Sequence, residues 1–284
     1  MNSLSRRSLL KLTSFALALK WLPRQQKAES PHRGNYSTMV SEAFPAHPAE
    51  LVREMVTVSH FDLNRVKELS SAHPSLVKAG WDWGFGDWET PLGAASHMGN
   101  RDIAEYLISN GAPMTLFSAA MLGQLDAIIA LIAAQPGIQR IRGPHSISLL
   151  AHARMGGDPA RAVIEFLQSL KDADSEPPVA LKQADADALA GTYRFGAGDI
   201  QQIDVNSDME MDAGKMYAYP PQLNWTRKGT MTRPLFHLGD LMFYPAGAPA
   251  VRIRFTVEKN RVAMAISDGN FALSAVRQES LIRK

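Results

Sequence analysis

The sequence predicts an α-plus-separate-β fold, in which a helical solenoid is followed by a small antiparallel β-barrel or sandwich. Residues 48–171 repeat a helix–turn–helix pattern with apolar side chains at helical spacing, whereas residues 184–278 alternate apolar and polar side chains. Between them, residues 172–183 contain acidic side chains and a Pro pair, which is typical of a linker. For the first part, a generic α-helical bundle remains the alternative.

The composition provides material for a core and argues against a nucleic-acid partner. The 284 residues are 45% hydrophobic and 20% charged, which is enough for about two domains of ordinary size. Six Lys and Arg residues precede the first acidic residue, Glu29, so the rest of the chain has 24 basic and 28 acidic side chains, a formal −4. Phosphate binding needs a clustered basic face, and a mildly acidic body does not provide one.

The N-terminus resembles a twin-arginine export signal. Residues 5–11 read SRRSLLK, and a short apolar run follows to residue 22. The resemblance implies a signal peptide over residues 1–28, a flexible leader over residues 29–47 and a periplasmic location, with no stable membrane insertion after the signal is removed. An amphipathic N-terminal helix of a cytoplasmic protein is the other interpretation. The chain has no cysteine, which excludes disulfides, thiolate metal sites and lipid attachment through cysteine.

The helical part carries a repeat motif. Residues 90–95 read TPLGAA, which resembles the ankyrin-repeat signature T-P-L-H-x-A except that Gly93 replaces the His. Ankyrin repeats bind other proteins, so the resemblance implies an interaction scaffold of about four degenerate repeats. The second helices align at residues 61–70, 99–108, 123–132 and 158–167, and their equivalent leucines are Leu69, Leu107, Leu131 and Leu167.

The first long loop between the aligned helices, residues 80–89, reads GWDWGFGDWE. In one interpretation its aromatic rings and acids bind a partner, because such rings supply rigid contact area. In the other, the rings fold back and cap the first repeat. The candidate binding residues of this loop are Trp81, Trp83, Phe85, Asp87 and Trp88.

The second long loop, residues 135–147, contains three basic side chains: Arg140, Arg142 and His145. They are candidates for a small basic binding patch. The alternative is a solvated turn that has no binding role.

Strand-like segments recur through the C-terminal part. They lie at residues 192–195, 200–205, 215–219, 235–238, 241–244, 251–257, 262–266 and 271–277, and residues 279–284 form a tail. Residues 188–193, ALAGTY, and the order of hairpins resemble the lipocalin-like β domain appended to some bacterial serine hydrolases. The resemblance implies an accessory domain with an apolar pocket and carries no catalytic residue to this chain.

The common catalytic motifs are missing. The sequence has no G-x-S-x-G, S-x-x-K, H-E-x-x-H or P-loop pattern, so we expect no enzyme, no cofactor and no metal. His60, His97, His145 and His152 lie where they could converge, although spacing alone does not establish a metal site. A further alternative is an acid/base group of Asp82, Asp87, Glu89 and His97; otherwise Asp87 or Glu89 helps begin the helix at Thr90.

Two functions follow as expectations. The first is an exported, non-enzymatic scaffold that binds another protein through the helical repeats and their loops. The alternative is a protein that binds a small apolar ligand in the β-barrel, between rows that include Val251, Ile253, Phe255 and Met264.

Overall fold

The structure of the chain is a computed structural model that describes residues 43–174, 179–198, 201–207, 217, 223–259 and 261–278. The predicted signal peptide, most of the predicted leader, part of the linker and the C-terminal tail lie outside these residues. Helices make up the first half of the described chain, and strands make up most of the second half.

Eight helices form four successive pairs in the first half of the described residues. Within each pair the two helices pack together, and the first helices of neighbouring pairs also pack on one another. Short 3-10 turns connect or extend them at Pro74–Lys78, Ile138–Arg140, Pro144–Ser146 and Asp158–Ala160. The helices are α1 (Ala49–Val58), α2 (Leu63–Ala72), α3 (Pro91–His97), α4 (Arg101–Ser109), α5 (Leu116–Met121), α6 (Leu125–Ala134), α7 (Leu149–Met155) and α8 (Arg161–Ser169).

Hydroxyl side chains begin the first helices of the last three pairs. Thr90, Thr115 and Ser148 each accept a hydrogen bond from the backbone N–H three residues further on, at 3.0 to 3.1 Å. Such caps satisfy N–H groups that have no partner within the helix. The helices then meet through small side chains, which allow the backbones to approach closely. The buried alanines of these three first helices are Ala94, Ala95, Ala119, Ala120, Ala151 and Ala153.

The aligned leucines do not all reach the core. Leu69, Leu107 and Leu167 are buried, whereas Leu131 keeps 40% of its surface exposed. Helix α6 is apolar on nearly every side, so its sequence does not specify which face is buried. Ile128 is the residue that α6 buries completely.

The second half of the described chain is a closed eight-stranded antiparallel barrel. Each strand pairs with the next along the chain, and the last pairs with the first. This confirms the expectation of a small antiparallel β domain and shows it to be a barrel. Its strands are β3 (Gly191–Arg194), β4 (Gln202–Asn206), β5 (Leu223–Thr226), β6 (Arg233–Gly239), β7 (Met242–Pro245), β8 (Arg252–Glu258), β9 (Arg261–Asp268) and β10 (Phe271–Arg277).

One barrel strand was not among the predicted segments. Strand β5 has only four residues and contains Asn224, a residue type that is depleted in strands, so its pattern is too short to indicate a strand. The predicted strand at residues 215–219 lies outside the described residues except for Tyr217, which is not in a strand.

The barrel interior is filled largely by its own side chains. The four expected lining residues, Val251, Ile253, Phe255 and Met264, are buried in this core. A short helix that precedes the barrel, α9 (Gln183–Leu189), adds two apolar side chains to the same core. All four side chains therefore belong to the packed core of the barrel.

A separate apolar cluster joins the helices to the barrel. Ile147 and Ala151 from the helical part pack with Tyr217, Phe236 and Ala246 from the barrel part, and all five are buried. The Tyr217 hydroxyl also donates to the carbonyl of His145 at 2.9 Å. Helices and barrel are thus in contact beside the loop that contains His145.

None of the helices in the described part of the chain has both the length and the apolar character needed to span a membrane.

Candidate functional site at the junction of helices and barrel

The loop at residues 80–89 forms a small hairpin at the junction. Its strands are β1 (Trp81–Asp82) and β2 (Trp88–Glu89). Gly84, Phe85 and Gly86 form the turn with positive φ angles of 114°, 59° and 76°, which two glycines make accessible. The turn directs Phe85 toward the barrel, while Asp87 and Glu89 are buried on the other side of the hairpin.

The tip of this hairpin rests on one end of the barrel. Phe85 stacks on Trp225 with ring centroids 6.4 Å apart and meets the edge of Phe271 at the same distance. Arg233 on β6 donates to the carbonyl of Gly84 at 3.1 Å. The aromatic loop is therefore attached to the barrel as well as to the helices.

A cavity of about 260 Å³ lies between the hairpin and the barrel end. Five of its thirteen lining residues are aromatic, two from the hairpin and three from the barrel part. Phe85 and Phe271 keep 40% and 48% of their surfaces exposed, so apolar surface remains accessible around the cavity. The aromatic lining residues are Trp83, Phe85, Phe195, Trp225 and Phe271.

On the opposite side of the hairpin, Asp87 joins the barrel to the helices through charge. Its carboxylate accepts from Arg233 Nη1 at 3.1 Å and from His145 Nδ1 at 2.9 Å. The backbone N–H of His145 donates to the second oxygen at 2.9 Å. Only 3% of Asp87 and 4% of Arg233 is exposed, so water contributes little to the solvation of these charges.

Glu89 lies at the centre of a group of imidazole rings. Its Oε1 is 2.8 Å from His97 Nε2, and its Oε2 is 3.5 Å from His60 Nε2 and 3.4 Å from His145 Nε2. Trp83 Nε1 donates to Oε2 at 2.8 Å. We call His60, Glu89, His97 and His145 the histidine–glutamate cluster.

The histidine–glutamate cluster contains the residues that could hold a metal ion. One ligand atom from each of its four side chains lies within 4.8 Å of all the others. The His60 and His97 Nε2 atoms are 3.1 Å apart. Three of the four histidines that the sequence indicated as convergent thus meet, while the fourth, His152, directs Nδ1 to the carbonyl of Ser148 at 2.8 Å.

Strained backbone places His145 in the cluster. His145 and Ser146 have positive φ angles of 58° and 62°, which side chains other than glycine rarely adopt. The barrel supports this conformation, because Gly247 N–H donates to Ser146 Oγ at 2.8 Å. Contacts from both parts of the chain therefore maintain the geometry of the cluster.

Burial and neighbouring charges shift the pKa values of the cluster residues in different directions. Burial opposes the charge on His145, but the hydrogen bonds and charges of Asp87 and Glu89 outweigh it and raise the pKa of His145 to about 9. Burial also favours neutral Glu89, yet His145 and His97 hold the pKa of Glu89 well below its usual range. The pKa of His60 is lowered, mainly by burial.

The structure brings together only three of the four residues of the predicted acid/base group. Asp87, Glu89 and His97 are close to His145, but the Asp82 carboxylate accepts from its neighbour Gly84 N–H at 2.7 Å. The cap of α3 is Thr90 itself, and the carboxylates of Asp87 and Glu89 instead have histidine partners.

The other candidate binding residues have different surroundings. Trp81 meets Trp83 edge to face at 6.4 Å, and β1 packs on α1, whereas Trp88 is 63% exposed. Arg140 pairs with Asp172 at 3.1 Å, and Arg142 donates to the carbonyl of Ser146 at 3.4 Å. His145 is buried in the cluster, so the second loop does not present its three basic side chains together on the surface.

Sequence reasoning missed the barrel residues of the junction. Arg233, Trp225 and Phe271 were not among the candidates. Arg233 carried a usable signal, because an arginine in the strand RPLFHLG needs a carboxylate partner if it is buried. The sequence did not identify Asp87, which lies 146 residues earlier, as that partner.

No protein-family model matches the chain, and no curated protein matches it.

Proposed function

We propose that the chain is a non-enzymatic binding protein that takes a small, neutral, apolar ligand in the cavity between the hairpin and the barrel. The observation that carries this proposal is the aromatic wall, to which the hairpin and the barrel part both contribute. Ligand sites are commonly concave and lined by aromatic and aliphatic side chains with few polar groups. Aromatic rings add contact area at low conformational cost.

Eleven of the thirteen residues that line the cavity are uncharged, and the other two are Arg227 and Arg233. The Arg233 guanidinium already donates to Asp87, to the carbonyl of Gly84 and to the carbonyl of Ala246. An anionic ligand would have to compete with these partners. An apolar ligand gains from the burial of its own surface and of the exposed rings.

Filling the cavity should weaken binding. Leu273 is half-buried and lines the cavity, so Leu273→Trp places a larger ring inside it. We expect the affinity for N-phenyl-1-naphthylamine, a neutral apolar fluorescent probe, to fall at least about tenfold, which is 1.4 kcal/mol. Fluorescence titration measures this change, and competition with aromatic and aliphatic compounds then defines the natural class of ligand.

Val257→Trp is the matched control, because Val257 lies on β8, is 48% exposed and does not line the cavity. The control should bind the probe as the unmodified chain does. Equal affinities for the Leu273 and Val257 variants, or no binding by the unmodified chain, would contradict the proposal.

A protein partner on the helical pairs is the second candidate function. Two aliphatic side chains of α6, Ile129 and Leu131, keep 42% and 40% of their surfaces exposed. Residues two apart on a helix point to different sides, so each of the two would contribute separately to an interaction surface. We expect native mass spectrometry of the unmodified chain, purified from its own host, to show an added mass the size of a protein. Leu131→Asp should remove this added mass.

Val179→Asp, at an exposed position in the segment before the barrel, should leave that mass increase unchanged. A bare monomer mass for the unmodified chain would count against the second candidate.

A further inference from the structure

We propose that the chain binds one zinc ion through the histidine–glutamate cluster, with His60, Glu89, His97 and His145 as ligands. This site is distinct from the apolar cavity, and the inference does not depend on the proposed function. The zinc proposal rests on three observations: the positions of four ligand atoms, the groups that orient these atoms, and the burial of the Glu89 carboxylate without a contacting Lys or Arg among the described residues.

The separations of the ligand atoms fit a tetrahedral site. Zinc binds imidazole nitrogen and carboxylate oxygen at about 2.0–2.2 Å, so adjacent ligand atoms in a tetrahedron lie roughly 3.3–3.5 Å apart. The separations are 2.8 Å from Glu89 Oε1 to His97 Nε2, 3.1 Å between the Nε2 atoms of His60 and His97, and 3.4 and 3.5 Å from Glu89 Oε2 to the Nε2 atoms of His145 and His60. One ligand atom from each residue lies within 4.8 Å of all the others, so binding would draw the more distant atoms closer together.

Outer hydrogen bonds orient two imidazole rings with Nε2 toward the centre. His145 Nδ1 is 2.9 Å from Asp87 Oδ2, which is the arrangement of a carboxylate–histidine–metal triad. His60 Nδ1 is 3.0 Å from the carbonyl of Thr57. When Nδ1 carries the proton that these oxygens accept, the Nε2 lone pair is free to bind a metal.

The Glu89 carboxylate is also oriented from outside the cluster. Trp83 Nε1 donates to its Oε2, and the side chain is completely buried. Among the described residues, its ion-pair partners are imidazole rings, and no Lys or Arg contacts it. A buried carboxylate needs a compensating positive charge, which either a protonated His145 or a divalent cation provides. The zinc ion takes the place of that proton.

The ligand set selects zinc over the common hard cations. Three imidazoles and one carboxylate suit zinc and related transition metals, whereas Mg²⁺ and Ca²⁺ prefer oxygen ligands. The side chains of Glu89, His97 and His145 are at most 8% exposed, and that of His60 is 19% exposed. Four protein ligands in a closed setting are typical of a structural zinc site. The His60 side is the most open route for entry.

The ion would join four elements of the chain, of which only the two that carry Glu89 and His97 are adjacent in sequence. His60 follows α1, Glu89 ends β2, His97 ends α3 and His145 lies in the 3-10 turn before α7. Binding at the junction therefore fixes the hairpin and the His145 turn against the first two helix pairs. The proposed role is to hold this junction in one conformation.

Metal binding by the unmodified chain is the first test. The chain is treated with a chelator, freed of it and titrated with Zn²⁺ by isothermal calorimetry and with Co²⁺ by visible absorption. We expect one ion per chain and the strong visible bands of tetrahedral cobalt, which Zn²⁺ then removes. Absence of binding, or the weak spectrum of hydrated octahedral cobalt, would overturn the proposal without any variant having to fold.

Substitution then identifies a ligand directly. His60→Cys introduces a thiolate at the most exposed position of the cluster, in a chain that has no cysteine of its own. We expect the cobalt complex to gain a near-ultraviolet thiolate-to-metal charge-transfer band. The matched variant His152→Cys changes a neighbouring buried histidine outside the ligand set and should lack this band.

Loss of a ligand gives the size of the effect. His97→Gln should weaken zinc binding by at least about 100-fold, whereas His152→Gln should leave the affinity within about threefold of the original. Unchanged zinc affinity in the His97 variant, or tetrahedral cobalt in the His60→Cys variant without the charge-transfer band, would reject this ligand set.

Discussion

Replacing Asp87 with Asn should lower the free energy of unfolding by about 3–5 kcal/mol, because it breaks a buried ion pair at one partner. The carboxylate accepts hydrogen bonds from Arg233, from the His145 ring and from the His145 backbone. Asparagine keeps the shape but removes the negative charge, so the nearly buried guanidinium loses its compensation. Urea unfolding of the chelator-treated chain measures the change.

Asp172→Asn is the matched control for this prediction. Asp172 also pairs with an arginine at 3.1 Å, but Arg140 and Asp172 keep 63% and 36% of their side chains exposed. Gln139 donates to the Asp172 carboxylate at 2.9 Å as well, and the amide oxygen of Asn can still accept this bond. Such surface pairs contribute about 0–1 kcal/mol, so the control should be nearly neutral. Similar losses for the two variants would show that burial does not set the strength of the Asp87 pair.

A double-mutant cycle separates the pair from its surroundings. Arg233→Met removes the guanidinium, so the second change, Asp87→Asn, should cost less in that background than in the unmodified chain. We expect the sum of the stability losses in the two single variants to exceed the stability loss in the double variant by more than about 1 kcal/mol. A difference of this size is within the range for residues in direct contact. Strict additivity would contradict a direct interaction.

The general architecture follows from sequence periodicity. The four second helices and most of the strands lie within two or three residues of their predicted positions, because apolar spacing of 3.6 or 2 reports which face is buried. The same rule fails in α6, where apolar residues surround the helix and Leu131 is exposed. Periodicity also gives no information on how the helical part and the barrel pack on one another.

The site could be predicted only in fragments. Asp87, Glu89 and His97 are close in sequence and were grouped, but His145 enters their cluster through a left-handed turn that no pattern indicates. Arg233 arrives from the barrel through a contact between parts of the chain. Both depend on tertiary packing, which local propensity does not encode.

The hairpin gives the two proposed sites a common wall. Trp83 lines the apolar cavity and donates to Glu89 in the histidine–glutamate cluster. Arg233 lines the same cavity and binds Asp87, which in turn orients His145. Trp83 and Arg233 therefore serve both sites. They hold the hairpin in place through Glu89 and Asp87, and they also form part of the surface that would contact a ligand.

Lowering the pH from 7 to 4 should reduce the stability advantage of the unmodified chain over a His152→Gln variant by about 3 kcal/mol. Burial lowers the pKa of His152 from 6.5 to about 4. Between these values the unfolded chain binds a proton that the folded chain excludes, so protonation favours unfolding as the pH falls. Each unit of pKa difference corresponds to about 1.4 kcal/mol, which gives the size of the effect.

Urea titrations at several pH values, with a chelator present throughout, measure this advantage. Glutamine cannot gain a charge in this pH range, so the variant lacks the acid-dependent loss that His152 causes. His47→Gln is the control, because His47 bonds to Ser75 near the surface and lies outside the buried histidine group. Its difference from the unmodified chain should stay within about 0.5 kcal/mol across the range. A difference in unfolding free energy that stays constant with pH for the His152 variant would contradict the prediction. It would mean that His152 accepts a proton equally well in the folded and unfolded chains, although its ring lies beside Phe117 and His97.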